Sequence, residues 1–268
     1  MSTDQIRFLI FIGILAVMLF LEWLIPRHFT IDSKPRRLGI NFSLTGLNVV
    51  IVKAVLGGAA VGAAVFAGKH GWGLFNYLHW PAELEMAAGI IFLDLMIYIQ
   101  HVVLHMIPFF WRFHVVHHSD LDLDVSSGFR FHPLEILGSM IYKIGLVVAI
   151  GPSPMTVVVF EAILSGMAQF THSNIKLPLW LDRVMRWLFV TPDMHRIHHS
   201  VVVAETNSNY GFNLSIWDRL LGTYKHRAEK PQPEIVIGVP EYRWPEEVSF
   251  SRLLLMPLRP NRQISPES

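Results

Sequence analysis

Five apolar runs dominate the chain, at about residues 8–25, 42–67, 84–107, 134–151 and 154–170. A bilayer-crossing helix needs roughly 17–25 mainly apolar residues, so each run is expected to cross or deeply enter a membrane. The first follows Arg7 and has no small-residue cleavage site before Pro26, which predicts an uncleaved anchor helix. The second contains LGGAAVGAAVFAG, whose small residues suit close helix contact in lipid. Only GPSP separates the fourth and fifth, the mark of a tight helical hairpin. The pattern predicts an all-α integral membrane protein with four to five membrane-embedded helices. Residues 1–83 read as N-terminal transmembrane helices and loops, 84–226 as the main unit, and 227–268 as a tail. The prolines and aromatics of EYRWPEE and LLLMPLRP predict that this tail is extended and packed on the body or membrane surface, not a second domain.

Composition agrees with the pattern: of 268 residues 52% are apolar and 16% charged, outside the usual range for a soluble domain. A formal charge of +1 gives no argument for nucleic acid as a partner. The placement of the basic residues says more. Arg27, Lys34, Arg36 and Arg37 crowd the first loop, whereas residues 68–82 hold only Lys69. The positive-inside rule then makes the first loop cytoplasmic. Alternation of the runs puts residues 108–133 and everything after 171 on the same side.

The chain has no cysteine. Disulfides, thiolate zinc sites, iron–sulfur clusters and covalently attached haem are therefore excluded, and imidazole and carboxylate remain as the strong metal ligands. Of fourteen histidines, eight fall in three clusters: His101 and His105 in HVVLH, His114, His117 and His118 in HVVHH, and His195, His198 and His199 in HRIHH. On a helix, positions i, i+3 and i+4 share one side, so each cluster presents its rings together. All three belong to the same expected membrane face. A single HxxxH pair at a helix end is commonly explained by packing; three clusters on one face are not. Eight neutral imidazoles exceed what one ion can use, so two metal ions fit the count. His132 in FRFHPLE and His172 in FTHSN lie between the clusters and could complete the shell, whereas His28, His70, His79 and His226 stand alone.

Asp94 lies on the helical face of His101, inside an apolar run, where it is expected to need a partner. A carboxylate that accepts the second ring N–H of a ligating histidine fixes its tautomer, which is the functional expectation for Asp94. Lys53, Lys143 and Glu161 also interrupt apolar runs and are expected to be paired or to snorkel. The carboxylates of SDLDLD at 119–124 lie near enough to the second cluster to bind metal, yet their alternation with Leu121 and Leu123 equally describes a solvated edge or turn, and they are left out of the ligand set; Trp111, Arg112, Trp187 and Trp217 read as interfacial anchors.

Asp94, Tyr98 and HVVLH, then PFFWRFHVVHHSD, FRFHPLE, THSN, DMHRIHHS and NYGFNLSIWDRLLGTY, together resemble the fatty acid hydroxylase superfamily, also called the sterol desaturase family, over roughly residues 90–226. The resemblance implies that 84–226 is a catalytic unit whose histidine-rich helical cap holds two iron ions, for which zinc could substitute in purified protein. It assigns His101, His105, His114, His117, His118, His195, His198 and His199 as metal ligands, and His132 and His172, which match further family histidines, as ligands with them. It also implies an oxidoreductase that uses O2 to hydroxylate or desaturate a membrane lipid or sterol-like substrate. Electrons would come from a donor such as a ferredoxin or cytochrome with its reductase, at the cytoplasmic side of a bacterial inner membrane. Two other classes compete. A bis-histidine haem carrier would need facing histidines inside the apolar runs, whereas these sit at helix ends. A nonredox metalloprotein is either a transporter, which would carry ligands near the midplane, or a zinc hydrolase, which spacing does not separate from an oxygenase.

Overall fold

The computed structural model of the chain describes residues 3–57 and 59–259. Among them the architecture is all-helical, with three isolated β-bridges and no extended sheet. Five stretches are long and apolar enough to cross a membrane: Gln5–Leu24, Lys34–Leu78, Ala82–Met106, Pro133–Ile150 and Pro154–His172. They correspond to the five runs of the sequence. Helix α1 (Thr3–Leu24) exposes Phe8, Leu9, Val17 and Phe20, as a helix solvated by lipid does.

The second stretch is broken. Helix α2 (Lys34–Leu56) ends at Gly57, held at φ 59°, and the chain resumes as α3 (Ala59–His70). The small residues of α3 are used as expected: Ala60, Ala64 and Ala67 are buried, and α3 packs on α7 (Pro133–Ile150) and α8 (Pro154–His172). A short α4 (Leu74–Leu78) leads into α5 (Ala82–Met106). Ala60, Ala64, Leu93, Val147, Val157 and Phe160 form the core of the spanning bundle. GPSP makes the expected hairpin: Gly151 caps α7 at φ 64°, and the Ser153 hydroxyl accepts from Thr156 N–H at the start of α8. Glu85 at the start of α5 accepts from Ser153 N–H and the Thr156 hydroxyl, both at 3.0 Å, which pins the hairpin to α5.

At the other end of the bundle a helical cap is assembled from α6 (Pro108–His118), a 3₁₀ turn (Val125–Phe129), α9 (Leu179–Met185), α10 (Pro192–His198), α11 (Val203–Thr206), α12 (Ile216–Leu220) and α13 (Phe250–Leu255). SDLDLD is not a solvated edge. Asp120, Asp122 and Asp124 are buried, and Leu121 and Leu123 enter separate apolar cores. The cause is Arg37. Its guanidinium, 1% exposed, donates from Nε to Asp120 at 2.8 Å and from Nη1 to Asp124 at 2.7 Å. It also donates to the Asp122 carbonyl at 2.9 Å, while the Asp122 carboxylate accepts from the N–H groups of Ile31 and Asp32. Burial by itself raises the Asp120 carboxyl, but Arg37 and Arg130 overcome it and hold the group well below the usual carboxylate range. The other basic residues of the first loop are likewise paired, Arg27 with Asp193, Lys34 with Glu22 and Arg36 with Asp32. Cap and membrane helices are thus stapled by charge.

The tail, described to residue 259, is integral to the cap and not draped over it. Val239, Val248, Leu253 and Met256 share one core with Leu44, Val115, Val116 and Leu121, and each fully buried side chain of this size contributes about 1.5–3 kcal/mol. Residues 260–268 of the expected tail lie outside the described residues.

Replacing Arg37 by Met is expected to destabilise the protein by about 3–5 kcal/mol, because it leaves buried carboxylates uncompensated. Arg37→Lys should recover only part, since an ammonium cannot form the forked contacts. Thermal melting in detergent measures both; a melting temperature unchanged in Arg37→Met would show that Arg130 alone balances the aspartates.

Candidate metal centre

Three helix ends and one short cap helix bring nine histidines together. His101 and His105 stand in the last two turns of α5, His172 ends α8, α6 carries His114, His117 and His118, and α10 carries His195 and His198 with His199 as its C-cap. Thr191 and Pro192 start α10: the Thr191 hydroxyl accepts from Met194 N–H and donates to Asp182 at 2.6 Å. The nine rings divide into two groups, His101, His105, His114, His118 and His198 in one, and His117, His172, His195 and His199 in the other. Within each group, ligand atoms lie within 4.8 Å of one another.

Helical geometry explains the division. In each HxxHH segment the i, i+4 pair turns to one group and the i+3 ring to the other. His114 and His118 join the first group and His117 the second; His195 and His199 join the second and His198 the first. Each group therefore needs both segments.

Ring-nitrogen geometry shows what the groups are suited to hold. His101 donates its Nδ1–H to the Tyr210 carbonyl at 2.8 Å, His198 donates to the Ser208 carbonyl at 2.7 Å, and His172 donates to the Ala168 carbonyl at 2.8 Å. A carbonyl can only accept, so in each neutral ring Nε2 is left with a lone pair. Yet His101 Nε2 and His198 Nε2 face each other at 3.1 Å, and His172 Nε2 lies 3.0 Å from His195 Nε2 and 3.2 Å from His117 Nε2. Two facing lone pairs repel unless a cation sits against both. Donors around an ion with bonds of about 2.1 Å are spaced about 3 Å apart, which these separations match. Both ring nitrogens of the buried His118 lack a hydrogen-bond partner among the described residues. Burial, and then the neighbouring imidazoles, push His117, His118, His195 and His199 well below the ordinary histidine range, and burial brings His198 to about 3. These rings are neutral at physiological pH, the state in which imidazole binds iron, zinc or copper. The residues present fit a metal in each group.

Two expectations need correction. His132 joins neither group: its Nδ1 accepts from Leu134 N–H as the N-cap of α7, and its Nε2 faces the Leu254 carbonyl at 3.3 Å. Asp94 does not touch a ligating ring. Its carboxylate accepts from Trp217 Nε1–H at 2.8 Å and Leu214 N–H at 3.3 Å, so it anchors the loop that presents Tyr210 to His101. Asp218 completes that loop by accepting from Tyr210 N–H and Gly211 N–H. At Gly211 a Cβ would lie 2.6 Å from the Asp218 carboxylate, so the turn requires glycine. NYGFNLSIWD is thus the support beneath His101 and His198.

Among the described residues, the carboxylate that binds a ligand-group ring is Glu135 of FRFHPLE, whose Oε1 accepts from His114 Nδ1–H at 2.7 Å. The signal for it was its place in that motif, three residues after His132. Trp111 packs on His105 and His118, at 4.9 and 5.4 Å between ring centres. Trp217 is held by Asp94, while Trp187 is exposed.

Helices long and apolar enough to span a membrane thus end beside two histidine groups whose geometry suits metal ions. A family profile described as Fatty acid hydroxylase matches residues 86–223, just over half of the chain, and the chain belongs to that family. It is 36% identical over 156 residues to ornithine lipid hydroxylase OlsE of Rhizobium tropici, covering 57% of this chain and 45% of that protein. Alkylglycerol monooxygenase of Xenopus tropicalis is 27% identical over 217 residues, 80% of this chain and 46% of its own. A cholesterol 25-hydroxylase-like protein of Danio rerio is 26% identical over 141 residues, 52% and 55% of the two chains. The chain spans about half the length of the curated relatives it matches. No solved structure matches it at a significant level.

His118→Ala and His199→Ala are each expected to lower the metal content of purified protein, one from each group, with membrane insertion unchanged. Glu135→Gln should weaken metal affinity about 10–100-fold, the usual cost of losing the partner of a ligating ring, whereas Asp94→Asn should leave metal content nearly whole. Elemental analysis after graded chelation separates the four variants; full retention of two metals in both alanine variants would remove these clusters from the metal site. Because the buried rings have lowered pKa values, the unfolded chain takes up protons first. Stability of the metal-free protein is therefore fully present above about pH 6.5, the unfolded histidine value, and declines from there toward pH 3. A pH series of thermal melts should show this slope.

Proposed function

We propose that this chain is a membrane di-iron oxygenase that hydroxylates, or as second choice desaturates, a C–H bond of a lipid with O2 and electrons from a ferredoxin or a cytochrome with its reductase. The observation that carries this reading is a cavity of 180 Å³ between the two histidine groups and the spanning helices. Its wall includes His101 and His114 from one group and His117 and His195 from the other, and it is otherwise largely apolar, with Ile97, Leu104, Ile136 and Met140. Family membership and the names of the relatives, lipid hydroxylase and monooxygenase, support it.

Iron held by the nine imidazoles would supply O2 activation and an oxidant for an unactivated C–H bond, chemistry that side chains alone lack. The chain's own residues do the rest. Ile97, Leu104, Ile136 and Met140 seat a hydrocarbon segment beside both groups and exclude water from it. Glu135, the Tyr210 carbonyl and the Ser208 carbonyl keep His114, His101 and His198 in the tautomer that turns Nε2 inward. The ligand groups contain no carboxylate among the described residues. In the bacterial inner membrane this reading puts the cap on the cytoplasmic side, where soluble electron donors are found. The basic residues of the first loop favour that placement.

Membranes from cells with and without the gene, compared by lipid mass spectrometry, should differ by a lipid heavier by one oxygen. Under 18O2 that oxygen should carry the label. An unlabelled product would point to hydrolytic or hydration chemistry, and loss of two hydrogens to desaturation. A reporter fused to the C-terminus should be active in the cytoplasm; periplasmic activity would overturn the topology.

A further inference from the structure

A second chamber, of 880 Å³, adjoins the first, and the two share Phe131, Ile136, Met140, Lys143 and Leu164 in their walls. It lies among α1, α2, α7 and α8, beside the break at Gly57. Its wall carries three cations, Arg7, Lys53 and Lys143, against one carboxylate, Glu161. Glu161 is shared, 2.5 Å from Arg7 and 3.1 Å from Lys143. The Lys53 side chain has no hydrogen-bond or ion-pair partner among the described residues.

All four charges belong to membrane-spanning stretches, where an uncompensated charge is costly and marks a ligand or ion pathway. Lys53 stands in the last turn of α2, four residues before the break at Gly57, and lines this chamber. A hydrocarbon-walled chamber with a surplus of two positive charges is complementary to an anionic amphiphile.

We propose that this chamber is an anion-binding vestibule: the lipid to be oxidised carries a phosphate or carboxylate group that seats between Lys53 and Lys143, and its hydrocarbon chain runs on into the chamber beside the histidines. The proposal rests on the lipid-oxidation reading above and names the substrate class within it. Lys143 is two turns along α7 from Glu135, the partner of His114, which is about 12 Å. Arg7 and Glu161 hold Lys143 in place as a positioning residue; Lys53, whose side chain has no partner among the described residues, is the cation that selects charge.

The test is equilibrium binding to the purified full-length, metal-loaded protein in a neutral maltoside detergent. The probes are dioleoyl phosphatidylglycerol, oleate, dioleoyl phosphatidylcholine and inorganic phosphate, and native mass spectrometry counts bound lipid per chain. Phosphatidylglycerol, oleate or both should be retained at least about tenfold better than phosphatidylcholine, as expected for two uncompensated charges. Lys53→Met should cost about fivefold, the weight of one lysine, and Lys53→Arg should restore binding, with metal content and melting temperature constant throughout. Equal retention of phosphatidylglycerol, oleate and phosphatidylcholine, or no effect of Lys53→Met, would overturn the proposal. So would displacement of bound lipid by millimolar inorganic phosphate, which would assign the chamber to a free anion. Binding can fail while oxygen is still incorporated into lipid, and it can succeed where no lipid is oxidised, so the two readings stand or fall separately.

Discussion

Neutral imidazoles that turn lone pairs on one another at about 3 Å set the terms for the rest of this structure. Every nearby element either keeps those rings uncharged, keeps them aimed or keeps water away. The Tyr210, Ser208 and Ala168 carbonyls take the outer protons of His101, His198 and His172, so the inner nitrogens can serve only as donors of electron pairs. Had the outer partners been N–H groups, the tautomers would invert and the same side chains would present protons to a metal. Backbone carbonyls, fixed by helix ends and by the Asp218-braced loop, cannot change role in that way.

Aiming nine rings demands a rigid cap, and the cap's own rigidity is electrostatic at one point and hydrophobic at another. Arg37 gathers the backbone of residues 120–124 around one guanidinium directly after α6, and Arg130 ties the end of α6 through the Val116 carbonyl and the Ser119 hydroxyl. On the far side of α6, the core of Val115, Val116, Leu253 and Met256 provides the backing. Gly128 lets the 3₁₀ turn approach α8 closely, since a Cβ there would come within 2.9 Å of the Ala168 carbonyl that orients His172.

Much of this was legible in the sequence because the relevant signals are local. The apolar runs, the GPSP hairpin and the 3- and 4-residue spacings of the histidines depend on near neighbours along one helix, and spacing alone is enough to say that each cluster converges. What the sequence hid is pairing across distance. SDLDLD looks solvated until Arg37, more than eighty residues earlier, is seen to bury it. Asp94 shares a helical face with His101, but a shared face does not say which of several neighbours the carboxylate will meet; the Trp217 indole lies on that face too. His132 sits in a histidine-rich motif, yet the proline after it makes it a helix cap. The division of each HxxHH between two groups follows from helix geometry only once a second helix opposes it.

The position of Leu253 and Met256 behind α6, and of the Leu254 carbonyl against His132, bears on the timing of biosynthesis. Helix α6, which carries three of the histidines, is synthesised well before these residues, yet the wall it leans on is among the last parts of the described chain to leave the ribosome. The spanning helices can partition into the bilayer one after another during translation, while the cap must wait. A metal ion held by both groups would accordingly find α6 fully backed only once the chain has been made past Met256.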